Sequence, residues 1–227
     1  MIVVFALVGL VTGWLLNFAA DYLVRFASER RAPVVAILRL PALLRLLRRE
    51  TGDDHFGAEL AAELFMGSLF VLLYALHSAS AETLWLMAIS AFFALVALMD
   101  YKYRLVLNVL TYPGFVLALV VNIVVLRQPV LNILLGVGFA FGLFYATALV
   151  RPNGLGGGDI KLAALIGAVF GFPQVLWALI ASAAASAIII VVLLLSHRLT
   201  RKDSIPYAPF LCLGAVIILI YNSALIR

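Results

Sequence analysis

The sequence predicts an all-α, polytopic integral membrane protein, and three observations support that fold class. Of the 227 residues, 66% are hydrophobic and 12% are charged, whereas a soluble domain carries about 25% charged residues. Charge-poor runs recur that can cross a hydrocarbon core about 30 Å thick, which takes about 20 apolar residues in a helix. Lys and Arg are concentrated between alternate runs. Together these features exclude a disordered protein, a coiled coil and an ordinary cytosolic enzyme.

The apolar runs predict about eight transmembrane helices in a single membrane domain, 1–227. The longest charge-free stretch, Leu162 to Ser196, contains Gly171-Phe172-Pro173. Because proline cannot continue a helix interior, this stretch is expected to form two helices. The first of the two is short, so it is expected to be tilted, irregular or re-entrant. The predicted spans are 1–20, 57–78, 82–99, 108–126, 130–150, 159–171, 174–196 and 205–226.

Lys and Arg predict the orientation of these spans. With the N-terminus outside, 14 of the 16 cations fall on one side, which the positive-inside rule makes cytoplasmic. This placement explains the basic composition without a nucleic-acid partner. The short basic loop 27–56 is expected to lie on anionic lipid of the inner leaflet. The cations on that side are Arg25, Arg30, Arg31, Arg39, Arg45, Arg48, Arg49, Lys102, Arg104, Arg151, Lys161, Arg198, Arg201 and Lys202.

The cysteine and histidine content predicts no metal site. Cys212 is the single cysteine, so neither an internal disulfide nor a Cys-X-X-Cys zinc site can form. His55, His77 and His197 are scattered along the chain and form no recognisable ligand set or catalytic triad.

Acidic residues inside or at the ends of spans are costly and therefore informative. Three acids have such positions: Glu63, Asp100 and Asp159. Asp100 closes the third predicted span, where an Asp is either an ordinary interfacial residue or a functional one. Asp21 lies four residues before Arg25, and we interpret it as a solvated helix end.

Asp159 follows a glycine-rich segment, Gly154-Leu155-Gly156-Gly157-Gly158. Glycine permits positive φ and close approach of another chain. Backbone groups without hydrogen-bond partners at a membrane boundary must be buried in protein or line a water-filled cavity. Asp159 can therefore act on a peptide at a hydrated break, or simply cap the next helix. On the predicted topology, Asp100 and Asp159 lie at the same face and at similar depth. If they approach closely in low dielectric, they can share one proton and act as the base and acid of an aspartic protease.

Gly156-Gly157-Gly158-Asp159 fits the Gly-x-Gly-Asp motif of intramembrane aspartyl proteases. Four further stretches, in the same order from end to end, resemble motifs of the bacterial type IV prepilin peptidases. These stretches are Gly13-Trp14-Leu15-Leu16-Asn17, Ala61-Ala62-Glu63-Leu64, Asp100-Tyr101-Lys102-Tyr103-Arg104 with Asn108 and Thr111, and Ile205-Pro206-Tyr207-Ala208-Pro209-Phe210.

This resemblance implies an endopeptidase of the bacterial inner membrane. Such an enzyme would remove the basic leader peptide of a prepilin or pseudopilin, in type IV pilus or type II secretion systems, at the cytoplasmic face. The resemblance carries over Asp100 and Asp159 as the catalytic pair and Gly156, Gly157 and Gly158 as the backbone beside the second acid. Residues of the matched stretches that would support the site or bind substrate are Glu63, Lys102, Lys161 and Asn17.

The loop 27–56 departs from the resemblance. Many relatives carry two Cys-X-X-Cys pairs that bind zinc there, but this loop is shorter and has no Cys, so no zinc is expected. N-methylation of the new N-terminus, which is associated with that loop, is doubtful here, and S-adenosylmethionine is needed only if that activity is retained. Glu50, Asp53 and Asp54 either attract a basic leader or are simply solvated.

Two other function classes are compatible with the same features. A proton-coupled transporter would also use paired intramembrane acids and a glycine-broken helix, but it predicts inverted repeats with matching breaks, and only one such glycine break is present. A non-catalytic scaffold for pilus assembly predicts that both acids can be replaced without loss of function.

Overall fold

The computed structural model describes residues 1–27, 40–48, 55–78, 80–150, 155–196 and 206–225. Throughout these segments the regular structure is helical and no strand occurs, which confirms the predicted all-α class. The helices are α1 (Ile2–Ala27), α2 (Ala42–Leu47), α3 (Phe56–His77), α4 (Ala81–Tyr103), α5 (Asn108–Val120), α6 (Val130–Val150), α7 (Gly157–Phe170), α8 (Gln174–Leu195) and α9 (Ala208–Leu225).

Each predicted span corresponds to one of these helices, in the predicted order. Six helices in the described segments are long and apolar enough to cross a membrane: α1, α3, α4, α5 with its π-helical extension Val121–Val125, α6 and α8. Helix α7 is shorter, with 14 residues, and α9 has 18 residues, of which Ala208–Tyr221 form an apolar helical segment. The structure therefore supports a multi-pass membrane protein in which α7 is a short member.

The helices are grouped into two compact units. Unit 1 comprises Met1–Arg104 and Leu219–Arg227, and unit 2 comprises Leu105–Ile218. Unit 1 thus contains Asp100, and unit 2 contains Asp159.

In unit 1, two glycines allow α1 to pack closely on α3. A Cβ on Gly13 would lie 2.5 Å from the Glu63 Cα, and a Cβ on Gly9 would collide with the backbone oxygen of Met66. Neither position can therefore carry a side chain without separating the helices. The contact brings the face of α1 that carries Asn17 directly against the face of α3 that carries Glu63.

Helix α4 in unit 1 extends one turn beyond its predicted end. It begins after Ser80, whose hydroxyl accepts from the Thr83 amide at 3.2 Å, and it continues to Tyr103. Asp100 therefore lies inside the last turn instead of closing the helix, and only 7% of it is exposed. The prediction that the span ends at residue 99 was wrong. It placed the end before the charged residues, but the charged residue Lys102 is itself buried in the helix packing.

In unit 2, α6 and α7 cross at two glycines. A Cβ on Gly136 would lie 2.7 Å from the backbone oxygen of Gly167, and a Cβ on Gly167 would collide with the backbone of Gly136. Helix α7 is a regular α-helix, and every residue from Leu162 to Phe170 is buried. The predicted break is confirmed: α7 ends at Phe170, Gly171 has a φ of 65°, and α8 starts at Gln174.

Candidate functional site

In unit 1, charged side chains from four helices meet next to the last turn of α4. The Lys102 ammonium donates to Asp21 Oδ1 at 3.0 Å and to Glu59 Oε1 at 3.1 Å. The Tyr103 hydroxyl donates to Asp21 Oδ1 at 2.8 Å, and Arg45 Nη1 donates to Glu59 Oε2 at 2.8 Å. We refer to Asp21, Arg45, Glu59, Lys102 and Tyr103 as the buried charge cluster.

The buried charge cluster corrects the interpretation of Asp21. The side chain of Asp21 is 13% exposed and is bonded to α4, so it is not a solvated helix end. The spacing of four residues between Asp21 and Arg25 favoured a solvated helix end. The hydrogen-bond partners Lys102 and Tyr103 are instead far away in the sequence. Glu59 and Arg45, which we did not single out from the sequence, are 5% and 6% exposed. One available signal was that Glu59 lies one helical turn before Glu63, on the same face of α3.

Glu63 and Asn17 occupy the neighbouring part of unit 1. Glu63 is 1% exposed, and its carboxylate accepts from the backbone amides of Ala42 and Leu43 at 2.7 and 2.9 Å. Glu63 therefore anchors the first turn of α2, where an anion also complements the helix dipole. The Asn17 amide donates to the backbone oxygens of Gly13 and Glu59, each at 3.2 Å.

In unit 2, Asp159 is the third residue of α7 and is partly exposed. Its Oδ2 accepts from the Gly156 amide at 3.3 Å, and its own amide donates to the Gly156 oxygen at 3.0 Å. Asp159 thus makes the helix-start contact that is one of the two interpretations of its position in the sequence. This contact orients the carboxylate at the start of α7, where an anion complements the helix dipole, and it leaves the side chain accessible.

The three glycines directly before Asp159 do not use the positive φ that glycine permits. Gly156 is extended, with a φ of −75°, and Gly157 and Gly158 are already the first residues of α7. Close approach does apply at Gly158, where a Cβ would lie 2.8 Å from the Val106 Cβ. Gly157 has nothing within 4 Å of such an atom.

Lys161 links the start of α7 to the start of α5 within unit 2. Its ammonium donates to Asn108 Oδ1 at 2.8 Å and lies 5.3 Å from the centroid of the Tyr112 ring. Tyr207, in a motif that the sequence singled out, interacts with Ser186 and, electrostatically, with Asp159. Its phenol is a polar group for which the sequence predicts no role.

The predicted site residues are therefore divided between the two units. Asp100, Lys102, Glu63 and Asn17 belong to unit 1, and residues 156–159 with Lys161 belong to unit 2. Within the described segments, no three His, Cys, Asp or Glu side chains are grouped so that they could hold a metal ion. Glu50, Asp53 and Asp54 lie outside those segments, so their suggested attraction of a leader stays a prediction.

Comparison with known proteins shows similarity over part of the chain. Residues 87–192 match the model of the type IV leader peptidase family. The prepilin leader peptidase/N-methyltransferase of Bacillus subtilis (strain 168) is 31% identical over 93 residues, which are 41% of this chain and 38% of that protein. No solved structure matches the chain significantly. The segment 87–192, which is similar to the type IV leader peptidase family, carries both Asp100 and Asp159.

Proposed function

We propose that the protein is an aspartic endopeptidase of the bacterial inner membrane that removes the basic leader peptide of a prepilin or pseudopilin. The observation that carries this proposal is that both acids lie within the family match, each at the end of an apolar helix. Asp100 is in the last turn of α4, and Asp159 is in the first turn of α7. Few acids have such positions in a chain with 12% charged residues.

The chain order supports a common cytoplasmic face for the two acids. If α4, α5 and α6 each cross the membrane once, the end of α4 and the start of α7 are on the same side. The positive-inside rule makes that side cytoplasmic, since 14 of the 16 cations are assigned to it. Cleavage at this face, immediately before the apolar helix of the substrate, fits this arrangement.

Two carboxylates at one face can activate a water for peptide hydrolysis. One ionised Asp removes a proton from the water, while the protonated Asp donates to the carbonyl oxygen or to the leaving amine. The proposal covers this peptidase step and requires no metal. N-methylation by S-adenosylmethionine is not part of it, because the loop associated with that reaction, 27–56, is short and lacks Cys.

The test replaces each acid without changing its size. A prepilin-like substrate is co-expressed with wild type, Asp100→Asn or Asp159→Asn, and the substrate N-terminus is determined by mass spectrometry, which also reports methylation. We expect wild type to remove the leader and either variant to leave it in place. Glu82→Gln, at the opposite end of α4, is the matched control and should process normally. Continued processing by both Asp variants would contradict the proposal and favour a scaffold role.

A further inference from the structure

The segment 40–47, which includes α2, turns its charge inward and its leucines outward. Arg45 is the one charged residue in this segment, and it is 6% exposed where it donates to Glu59. Four leucines of the same segment are between 43% and 76% exposed: Leu40, Leu44, Leu46 and Leu47. We refer to these four side chains as the outer leucines. A contiguous apolar patch of this kind marks a surface that contacts another apolar phase or molecule.

Contacts with α3 determine where this segment lies in unit 1. The backbone amides of Ala42 and Leu43 donate to the Glu63 carboxylate at 2.7 and 2.9 Å. Three residues later, the Arg45 guanidinium carbon lies 5.3 Å from the centroid of the Phe56 ring, and Phe56 is the first residue of α3. The segment therefore runs from the level of Glu63 back towards the start of α3, opposite to the direction of that helix.

Glu63 lies well inside a helix that can span the membrane. Helix α3 has 22 residues and is apolar enough to cross a bilayer. At 1.5 Å per residue it is about 33 Å long, which matches a hydrocarbon core about 30 Å thick. Glu63 follows Phe56 by seven residues, or about 10 Å along the helix axis. The start of the segment 40–47 is thus at the depth of hydrocarbon.

The surface of α3 at that depth is itself apolar and accessible. Leu64, directly after Glu63, is 50% exposed. Because α3 is a membrane-spanning helix, the phase that covers Leu64 is lipid. The outer leucines continue this lipid-facing surface, which identifies acyl chains as their contact.

The backbone at the start of the segment is also suited to a site without water. Pro41 has no amide hydrogen, and the next two amides both donate to Glu63, whose side chain comes from within the protein. In hydrocarbon, backbone donors must be bonded to the protein. At an aqueous surface, water would satisfy the first amides of a helix without a buried carboxylate.

We propose that residues 40–47 form a re-entrant membrane segment, whose outer leucines are covered by lipid acyl chains. The segment is deepest at Leu40 and returns towards the membrane surface at Leu47. The sequence predicts that the loop 27–56 lies on lipid headgroups, whereas this proposal inserts part of that loop beside α3. The inference rests on contacts within unit 1 and does not depend on the proposed peptidase function.

The first experiment measures the depth of three outer leucines in phosphatidylcholine vesicles. Leu40→Cys, Leu44→Cys and Leu47→Cys are made in a full-length Cys212→Ala background, which has no other cysteine, and each is labelled with a nitroxide. Electron paramagnetic resonance then reports access to oxygen, which concentrates in hydrocarbon, and to a water-soluble nickel chelate. We expect the oxygen-to-nickel access ratio to be highest at residue 40 and to fall towards residue 47.

Two exposed positions on α3 provide matched references for depth. Leu64→Cys reports the level of Glu63, and Gly57→Cys reports the start of α3. The access ratio should rise from residue 57 to residue 64, in the opposite direction to its change along the segment, and residue 40 should match residue 64. An interfacial helix lies in the membrane plane and has one shallow depth throughout.

Two results of this experiment would overturn the proposal. A ratio at residue 40 as low as that at residue 57 would place the segment on the membrane surface. Low access to both reagents at all three leucines would show that protein covers them, either a second copy of the chain or the apolar helix of a peptide.

The second experiment needs no substitution and therefore does not depend on the folding of a variant. Wild-type protein is irradiated in vesicles with phosphatidylcholine that carries a diazirine either in its acyl chain or in its headgroup, and the modified residues are identified by mass spectrometry. The acyl-chain probe should modify Leu40 and Leu44 as it modifies Leu64, and the headgroup probe should modify none of them. Modification of Leu64 without modification of residues 40–47, or modification of Leu40 by the headgroup probe alone, would overturn the proposal.

Discussion

The ammonium of Lys102 lies 3.0 Å from the carboxylate of Asp21, and the Lys102 side chain is only 1% exposed. Lys102 follows Asp100 by two residues on the last turn of α4. The ion pair therefore attaches that turn to α1. Removal of Lys102 would leave the Asp21 carboxylate without its cation, whereas removal of Asp21 would leave Lys102 paired with Glu59 alone.

We predict that Lys102→Met strongly destabilises the protein. The change leaves the carboxylates of Asp21 and Glu59 buried next to an apolar side chain, and breaking a buried ion pair in this way costs about 3–5 kcal/mol. The apparent Tm in detergent, measured with a thiol-independent dye, should fall well below that of wild type. Lys161→Met is the matched control, since the Lys161 contact with Asn108 is exposed and should cost under about 1 kcal/mol.

A paired change separates charge imbalance from lost packing. Glu59→Gln combined with Lys102→Met removes one charge of each sign, so the double variant should be less destabilised than the sum of the two single variants. Additive losses would show that the residues act independently and would contradict the network.

Glu63 is predicted to hold the start of α2 through its two oxygens. Glu63→Gln keeps one acceptor and converts the other into an amide that cannot accept, so one of the two backbone amides, Ala42 or Leu43, should lose its partner. Hydrogen exchange in residues 40–48 should accelerate in Glu63→Gln and more so in Glu63→Ala. Unchanged exchange in both variants would refute the anchoring role.

Gly158→Ala is predicted to impair the segment before Asp159 by a steric effect. The new Cβ would lie 2.8 Å from the Val106 Cβ, and such overpacking costs about 1–3 kcal/mol. Thermal stability and leader removal should both decrease. Gly157→Ala is the control, because nothing lies within 4 Å of a Cβ there.

Substitutions of Val106 can rescue Gly158→Ala if the defect is a steric collision. They cannot rescue it if the defect is a loss of backbone freedom at residue 158. Val106→Gly removes the colliding Cβ and should restore part of the activity of Gly158→Ala, whereas Val106→Ala retains that atom and should restore less. Equal failure of both double variants would point to a conformational cause instead.

Gly167→Ala is predicted to disrupt the crossing of α6 and α7. Its Cβ would collide with backbone atoms of Gly136, and backbone cannot move aside as the end of a side chain can. The yield of folded protein in size-exclusion chromatography should drop sharply. Gly138→Ala and Gly142→Ala, on α6 with nothing within 4 Å of the new atom, should express like wild type.

A shared proton between Asp100 and Asp159 predicts a pH–rate profile with two limbs. The rate should fall at low pH, where both acids are protonated and no base remains. It should also fall at high pH, where both are ionised and no acid remains. A rate that stays constant from mildly acidic to alkaline pH would argue against a shared-proton pair.

The positions of the spans were largely predictable from the sequence, for a physical reason. Backbone groups in lipid must be bonded within the segment, so an apolar run at membrane depth has to be helical. The break at Gly171-Phe172-Pro173 was predictable for the similarly local reason that proline has no amide hydrogen. The end of α4 was not, because Lys102 is compensated by residues of α1 and α3.

The candidate site was predictable in its motif residues but not in their surroundings. Asp100 and Asp159 could be singled out because acids are scarce in apolar segments. The partners of Asp21 and the collision between Gly158 and Val106 depend on helices that are distant in the sequence. Local spacing with Arg25 suggested a solvated Asp21, and this interpretation failed because tertiary contacts determine the surroundings of Asp21.

The buried charge cluster also constrains how this chain can evolve. Each of its charges is balanced by a charge from another helix, as Arg45 balances Glu59 and Lys102 balances Asp21. A single substitution leaves a lone charge, so divergence at these positions has to pass through compensating pairs. Among related sequences, positions 21, 45, 59 and 102 should therefore change together or not at all. Their covariation would appear between helices far apart in the chain.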